Sequence, residues 1–474
     1  MLSCIMRWIN RDPELMRLDR LARRRSGGLG VVYGRRRLGK TRLLLEWLRK
    51  QGGLYTVADQ SSADIQRRYF AGAVAEHLPG FAEVQYPDWR SLLGRLAREA
   101  PAQSWRGPLV IDELPYLVTS SPELPSVLQH WIDHDVRAAG LVLVIAGSSQ
   151  RMMQGLVLSG DAPLYGRAQE ILELRPMHPR HLREALGIPP GRRLVEAFAC
   201  WGGVPRYWEL AAEVRADVRS RVDRLVLDPL GALHREPDRL LIEELPPAAE
   251  LRPILDAIGS GSHRVSEIGA RVGRPATSIS RPLGRLLEMG LVRREVPFGE
   301  LERKSRRSLY KIDDPFFRLW FRVVAPHRGL LAAGSRRTRL ALLDQAWSGL
   351  VAEAWENLCR TCVAQTGAMK RLGKLSSWKP ASRWWRGSLP EWDIVSESED
   401  GKRLLLGEAR WSTRPLGKTA LEREVSSLMS KPPPLLPRRY AKHQVVRALF
   451  VPELAPGMAR HRGAVCVTAE EVVR

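Results

Sequence analysis

The chain has 474 residues, 44% of them hydrophobic and 27% charged, a globular balance whose length predicts about three domains at roughly 100–200 residues each. Lys and Arg number 75 against 52 Asp and Glu, so the net charge of +23 favours a polyanionic partner such as nucleic acid or an anionic membrane surface. The odd count of five cysteines and the lack of a signal peptide argue against a secreted protein held together by disulfides. No apolar run comes near the ~20 residues that span a bilayer, so we also exclude a transmembrane protein. The sequence therefore predicts a soluble, cytoplasmic protein.

A glycine-rich loop follows the first predicted strand, residues 29–33, and precedes residues 42–49, which have helical spacing. The loop matches G-x-x-x-x-G-K-[ST], a motif typical of phosphate binding between a strand and a helix. Its glycines permit turns that aim amide N–H groups at phosphates, its lysine reaches the β- and γ-phosphates, and its threonine hydroxyl can bind Mg²⁺. We therefore expect ATP and Mg²⁺ at these residues: Gly34, Arg35, Arg36, Arg37, Leu38, Gly39, Lys40, Thr41 and Arg42.

Two further predicted strands end in polar residues. The first, from residue 108, ends in Asp112 and Glu113; we expect Asp112 to hold Mg²⁺ and Glu113 to polarise the attacking water. The second, residues 141–146, is followed by Gly147, Ser148 and Ser149. For a side chain near the γ-phosphate, Ser148 is our first choice and Ser149 our second, with a simple turn as the alternative. Because amphipathic segments alternate with these strands, the pattern predicts a parallel sheet with helices on both faces.

An ordered set of motifs resembles one family over most of residues 8–330. These motifs are residues 8–15, the glycine loop, residues 110–113, residues 147–149, Pro163 to Arg167, and residues 202–207. The set is similar to the archaeal-type ATPase family, a branch of the AAA+/STAND P-loop class. The resemblance implies an ATPase core at 1–175 and a helical lid at 176–245.

The same resemblance assigns four residues outside the glycine loop. It implies that Asn10 and Arg11 approach the nucleotide base and that Pro205 lies in the lid against the nucleotide. Arg167 becomes a candidate for sensing the γ-phosphate, the alternative being an ordinary surface arginine of a basic chain. Pro205 is equally compatible with a plain turn between helices.

Residues 246–325 predict three helices followed by a β-hairpin, the order of a winged helix-turn-helix. If this module binds DNA, the helix that begins near residue 277 enters the major groove and the hairpin tip reaches the backbone. The expected DNA contacts are Thr277, Ser278, Ser280, Arg281, Arg285, Arg306 and Arg307. A spacer or protein-docking module with a solvated tip is the alternative.

Residues 326–474 resemble the PD-(D/E)XK nuclease fold, after a segment at 313–321 that is similar to the uncharacterised module following this type of ATPase. The resemblance places Asp393 and Glu408 as ligands of a second Mg²⁺ and Glu356 as the acid of a helix. Arg410 stands where the nuclease pattern has lysine, and a guanidinium neither releases a proton at neutral pH nor acts as a compact charge. Ion pairing of Glu408 with a neighbouring arginine is the structural alternative.

Three functions follow from these predictions. The first is an ATP-driven machine that acts on DNA through the winged helix and the nuclease-like domain. The second is a STAND-like switch that docks a protein partner, and the third is an ATP-gated Mg²⁺-dependent endonuclease. The sequence leaves open whether the protein forms a homo-oligomer.

Overall fold

The computed structural model describes residues 8–244, 248–303, 305, 307–365, 372–458 and 463–474. The chain divides into two compact units, residues 8–176 and residues 177–474. The domain boundaries predicted above remain predictions, and the one at residues 245 and 246 lies outside the described residues. No helix in the described ranges is both long enough and apolar enough to cross a membrane.

A five-stranded parallel sheet organises the first unit. Its strands are β1 (Gly28–Tyr33), β2 (Leu54–Val57), β3 (Leu109–Asp112), β4 (Val142–Gly147) and β5 (Ala168–Glu173). The spatial order is β2-β3-β4-β1-β5, which places β4 between the strand before the glycine loop and the strand that ends in Asp112. Every residue of β3 and β4 is buried, as expected for central strands of a sheet covered on both faces.

Helices connect the strands of this sheet. They are α1 (Asp12–Ala22), α2 (Lys40–Gln51), α3 (Ala63–Val74), α4 (Trp89–Ala102), α5 (Leu114–Ser120), α6 (Leu124–Trp131), α7 (Arg137–Ala139) and α8 (Gln150–Met153). α4 shows the cause of this arrangement: the Asp88 carboxylate caps its first turn, and Trp89, Leu92 and Leu96 recur at helical spacing on its buried face. The apolar faces of α3 to α6 and strands of the sheet form one core.

Helices open the second unit, followed by three helices and an antiparallel hairpin. The first group is α9 (Leu182–Leu186), α10 (Arg192–Trp201), α11 (Pro205–Glu213), α12 (Val218–Val222) and α13 (Glu236–Glu244). The second is α14 (Ala248–Gly259), α15 (Val265–Val272), α16 (Ala276–Glu288), β6 (Val292–Glu295) and β7 (Leu309–Ile312). This is the element order that the sequence predicted, with shorter strands than expected.

A second five-stranded sheet, of order β12-β11-β10-β9-β8, organises the C-terminal region. β8 (Ser382–Trp384), β9 (Trp392–Glu397) and β10 (Arg403–Ala409) are antiparallel, whereas β11 (Gln444–Val451) and β12 (Val465–Thr468) continue parallel to β10. The helices are α17 (Pro315–Leu319), α18 (Arg328–Ala333), α19 (Arg336–Val363), α20 (Leu372–Leu375), α21 (Lys418–Ser430) and α22 (Ala469–Val472). The prediction of an α/β fold with a parallel sheet and a further α/β C-terminal region is therefore confirmed.

Candidate active site

The glycine loop lies between β1 and α2, as predicted. Gly39 has φ 88° and Gly34 has φ 145°, backbone conformations that side chains rarely adopt. A Cβ on Gly34 would lie 2.5 Å from the carbonyl oxygen of Leu174, so this close approach needs glycine. The loop therefore wraps tightly around the start of α2, and the amide N–H groups of a first helical turn favour an anion.

Lys40 is the first residue of α2 and is buried. Its Nζ donates to the carbonyl oxygens of Gly34, at 2.7 Å, and Arg35, at 3.3 Å. The ammonium group is thus held inside the loop, where a phosphate would meet it.

Asp112 is fully buried at the end of β3. Its Oδ2 accepts hydrogen bonds from the Thr41 hydroxyl, at 2.7 Å, and the Tyr55 hydroxyl, at 2.8 Å, while its Oδ1 accepts from the amide of Glu113. Burial, and then the negative charge of Asp112, raise the pKa of Tyr55. The contact of Thr41 with Asp112 brings together the two predicted Mg²⁺ ligands. The contact of Tyr55 with Asp112 was not predicted. It follows from the position of Tyr55 on β2, the strand next to β3.

Glu113 and Ser148 meet because β3 and β4 are neighbours in the sheet. The Ser148 hydroxyl lies 2.8 and 2.7 Å from the two carboxylate oxygens of Glu113, and its amide lies 3.3 Å from one of them. Glu113 itself has φ 54° and ψ 40°, an uncommon conformation for a side chain of this type. Ser149, the second choice, instead caps α8 through the amide of Met152.

The other loop residues predicted to bind nucleotide surround the same turn. Arg35 and Leu38 are buried, and Arg36 donates to the Tyr116 hydroxyl at 2.9 Å. Arg37 takes a left-handed conformation, with φ 68°, and Arg42 is half-buried in the first turn of α2. They frame the loop, and their contact with nucleotide remains a prediction.

Arg11 supports the loop from outside. Its guanidinium pairs with Glu14, at 2.9 Å, and donates to the carbonyl oxygens of Leu38, at 3.1 Å, and Arg175, at 2.9 Å. Asn10 and Arg11 both have positive φ, 51° and 89°. Arg11 thus contacts the glycine-loop backbone, whereas an approach of either residue to the base remains a prediction.

Arg167 is held by Asp133 in the structure. Its Nε and Nη2 donate to the Asp133 carboxylate at 2.8 to 3.0 Å, and its Nη1 donates to the carbonyl oxygen of Pro163. To sense a γ-phosphate, the guanidinium would have to leave this pair. Pro205 begins α11, in the other unit, and its predicted role toward the nucleotide remains a prediction.

The predicted DNA contacts separate into two groups. Thr277, Ser278, Ser280 and Arg281 are exposed on α16, and Arg271 and Arg274, which were not predicted, are exposed just before it. Arg285 instead packs against Glu250, with 19% of its side chain exposed.

The hairpin tip carries the remaining two predicted contacts. Arg307 binds Glu300 and the carbonyl oxygen of Trp385, and Arg306 lies outside the described residues. Around α16, the exposed cations are therefore Arg281, which was predicted, and Arg271 and Arg274.

Carboxylates also converge on the second sheet. Gly407 pairs with Ile394 across β9 and β10, so Asp393 and Glu408 face the same side. The Asp393 carboxylate accepts from the amide of Ala409 at 3.1 Å. Burial, and then the charge of Asp393, raise the pKa values of both Glu408 and Glu356 on α19.

Two cations hold the buried Glu408. Arg410 Nη2 lies 3.0 Å from one carboxylate oxygen, and Lys431 Nζ hydrogen-bonds to the other. Lys431 was not predicted, because 23 residues separate it from Glu408. In the part of the chain that the structure describes, no group of three or more His, Cys, Asp and Glu residues could hold a metal ion, so a metal here would need water or substrate oxygens as well.

Comparisons with known proteins agree with this architecture. A family model of an ATPase domain found predominantly in Archaea matches residues 8–209, and one of archaeal and bacterial proteins of unknown function matches residues 320–424. An uncharacterized protein of Methanocaldococcus jannaschii is 26% identical over 405 residues, 85% of this chain and 87% of its own.

Two solved structures are also similar. The Walker-type ATPase PABY2304 of Pyrococcus abyssi aligns with 67% of this chain and 96% of its own, with 17% identity and a TM-score of 0.52. The ORC2 protein of Aeropyrum pernix aligns with 70% of this chain and 91% of its own, with 14% identity and a TM-score of 0.36. The chain carries an ATPase domain of the family found predominantly in Archaea, followed by a domain of the archaeal and bacterial family of unknown function.

Proposed function

We propose that the protein hydrolyses ATP with its first unit and acts on DNA with its second. The observation that carries the proposal is the convergence of Lys40, Thr41, Asp112 and Glu113 at one edge of a parallel sheet. The exposed arginines of α15 and α16 support DNA as the partner.

Each of these four residues has a chemical task in ATP hydrolysis. Lys40 and the amides at the start of α2 bind the phosphates of ATP. Thr41 and Asp112, whose oxygens already lie 2.7 Å apart, fit Mg²⁺, which when bound neutralises phosphate charge.

Glu113 completes this site as the general base. It accepts a proton from water while the water oxygen bonds to the γ-phosphorus and the bond from this phosphorus to the bridging oxygen of ADP breaks. Ser148 orients that carboxylate through its hydroxyl.

ATP hydrolysis without DNA tests the first half of the proposal. Glu113→Gln should bind ATP normally and lower kcat by about 10²–10⁴-fold, the usual contribution of a general base. Lys40→Ala should lose ATP binding. A Glu113→Gln protein that hydrolyses ATP at the wild-type rate would remove Glu113 from this role.

Duplex binding, measured by fluorescence anisotropy over a salt series, tests the second half. We expect binding that weakens steeply with salt, because exposed arginines release counterions from the phosphate backbone. If neither duplex nor single strand binds at low salt, the STAND-like switch with a protein partner replaces the DNA proposal.

A second candidate function is Mg²⁺-dependent phosphodiester cleavage in the C-terminal region. Asp393 and Glu408 favour it, since two carboxylates on one face together with substrate phosphates form a common type of Mg²⁺ site. From α19 to β11, a long helix and the short α20 precede three antiparallel strands, which are followed by a helix and a parallel strand. This order supports a nuclease-like fold. Magnesium-dependent nicking of supercoiled plasmid, absent in Asp393→Asn, is the expected result.

A further inference from the structure

Lys431 is held in place by groups from two strands of the second sheet. It directly follows α21, and Arg447 of β11 donates to the carbonyl oxygens of Leu428, at 2.6 Å, and Lys431, at 3.2 Å. The Trp392 indole of β9 donates to the carbonyl oxygen of Pro432 at 3.1 Å. The end of α21 is thus fixed by side chains of β9 and β11.

The Lys431 side chain is fixed as firmly as its backbone. Its ammonium lies 4.8 Å from the centroid of the Trp392 ring and hydrogen-bonds to Glu408. Only 16% of the Lys431 side chain and 4% of the Glu408 side chain are exposed. A long, entropically costly side chain is therefore ordered toward the buried carboxylate of Glu408.

Arg410 is oriented differently. Its Nε lies 3.4 Å from Glu424 of α21, its Nη2 contacts Glu408, and 48% of its side chain is exposed. Arg410 alone would leave one oxygen of Glu408 without a cation. Glu424 of α21 therefore holds Arg410 outward, while Lys431, directly after α21, takes the inner position.

We propose that Lys431 is the catalytic cation of a phosphodiester-cleaving site formed with Asp393 and Glu408, in place of the lysine that Arg410 replaces. This inference rests on the second candidate function. Lys431 fits the role because its ammonium is a compact charge with three donors, so it can bind a phosphate oxygen from its place beside Glu408.

The step that Lys431 assists is hydrolysis. The water oxygen bonds to phosphorus as the bond from phosphorus to the 3′-oxygen breaks; one water proton passes to the leaving oxygen and the other stays on the new phosphate until solvent removes it. Lys431 remains protonated and stabilises the charge that develops on the non-bridging oxygens. Asp393 and Glu408 would hold Mg²⁺, which when bound polarises the phosphate.

Nucleic acid is the substrate class that the surroundings favour. The site lies in the same compact unit as the exposed arginines of α15 and α16, and the whole chain carries a net charge of +23. A nucleic acid attracted to the second unit would therefore have its phosphodiester groups near the unit's carboxylate pair.

Nicking of supercoiled plasmid and single-stranded circular DNA by the full chain, in Mg²⁺ or Mn²⁺, tests the proposal. Lys431→Met should lower the rate by about 10²-fold, the usual loss when one charge-stabilising group is removed. The matched control, Lys418→Met, removes an exposed lysine from the start of α21 and should stay within a few-fold of the wild type. Circular dichroism melting checks that both variants fold.

Binding of Mn²⁺ alone, measured by electron paramagnetic resonance without nucleotide, separates catalysis from folding. Asp393→Asn should lose a bound Mn²⁺, whereas Lys431→Met should bind it more tightly, because the competing ammonium is gone. Equal nicking by Lys431→Met and wild type overturns the proposal, as does weaker Mn²⁺ binding in a folded Lys431→Met protein. A wild type that never nicks DNA overturns it too, while leaving ATP hydrolysis and DNA binding as separate results.

Discussion

Glu113 shows how one side chain is prepared for a task by its surroundings. Its backbone lies in the left-handed region, and both of its carboxylate oxygens face the Ser148 hydroxyl. A residue held in a rare conformation and aimed by a neighbour is typical of a functional site.

Ser148→Ala should lower kcat for ATP hydrolysis by about tenfold while leaving KM nearly unchanged, because one hydrogen bond to a charged group is lost. The matched control is Ser149→Ala, which removes only the cap of α8. Steady-state kinetics of the two variants measures the difference. Equal losses of kcat in both would mean that the turn after β4 contributes only to folding.

Tyr55→Phe should raise the Mg²⁺ concentration needed for half-maximal ATP hydrolysis by about tenfold, since Asp112 loses one of two hydroxyl donors on Oδ2. Tyr69→Phe, an exposed tyrosine of α3, is the control. A magnesium titration at saturating ATP measures the change. An unchanged titration would show that Thr41 alone orients Asp112.

The sequence predicted residues whose spacing carries a motif and missed those that only the fold brings in. Thr41 and Asp112 are 71 positions apart, yet each belongs to a motif that indicates its role. Tyr55 and Lys431 have no such motif, because their contacts depend on strand order and on where α21 ends. No local pattern could locate either one.

At the level of elements, α16 carries the DNA proposal. Arg281 is exposed on this helix, whereas Arg285, one turn later, packs against Glu250. An exposed guanidinium can reach a phosphate or a base without breaking an existing pair.

Arg281→Gln should reduce the salt slope of DNA binding by about one, the value for one lost phosphate contact, or relax sequence preference if it reads a base. Arg285→Gln, on the same helix, should leave the slope unchanged. Anisotropy titrations across a salt series compare them. A larger change of the salt slope in Arg285→Gln than in Arg281→Gln would mean that DNA binds another face of α16.

The hairpin and α19 share a buried network of charges. Glu353 lies 3.3 Å from Arg318 and 3.2 Å from Arg322, and Glu295 lies 2.9 Å from Arg293. Burial alone would raise the pKa values of both carboxyls, but the arginines and Lys311 lower each to about 2.

These lowered pKa values predict acid destabilisation of the second unit. A carboxylate with a lowered pKa stabilises the fold above its unfolded value and loses that contribution as the pH falls toward about 2. Melting temperatures should therefore fall steeply between about pH 4.5 and pH 2. At neutral pH, Glu353→Gln should cost about 3–5 kcal/mol because Arg318 loses its charge partner, and it should flatten the acid slope. An acid slope that Glu353→Gln leaves intact would contradict this account.

Periodicity in the sequence predicted which segments form helices and which form strands, but it located the ends of these elements less well. Residues 350–358 indicated a helix, but α19 extends to Arg336–Val363, because its remaining turns pack on other elements rather than repeat one apolar stripe. The hairpin strands are four residues each, shorter than predicted, since the segments that follow contact the C-terminal region: the amide of Phe298 donates to the carbonyl oxygen of Arg383.

The whole molecule joins an ATPase unit to a unit with an exposed basic helix and a carboxylate pair. The net charge of +23 agrees with a polyanionic partner, although arginine-rich codon usage alone would also raise it. The exposure of Arg271, Arg274 and Arg281 is therefore more informative than the total charge, and of these three the sequence analysis named only Arg281.

If ATP hydrolysis by the first unit drives an action on DNA, as we propose, its rate should respond to DNA bound by the second unit. Steady-state ATPase rates with and without duplex DNA test it most directly, using wild type, Lys40→Ala and an Arg274→Gln, Arg281→Gln double variant. We predict that DNA stimulates the wild type several-fold, that Lys40→Ala is inactive throughout, and that the double variant keeps its basal rate but loses stimulation. Wild-type ATP hydrolysis unaffected by duplex DNA, single-stranded DNA and RNA would contradict the account.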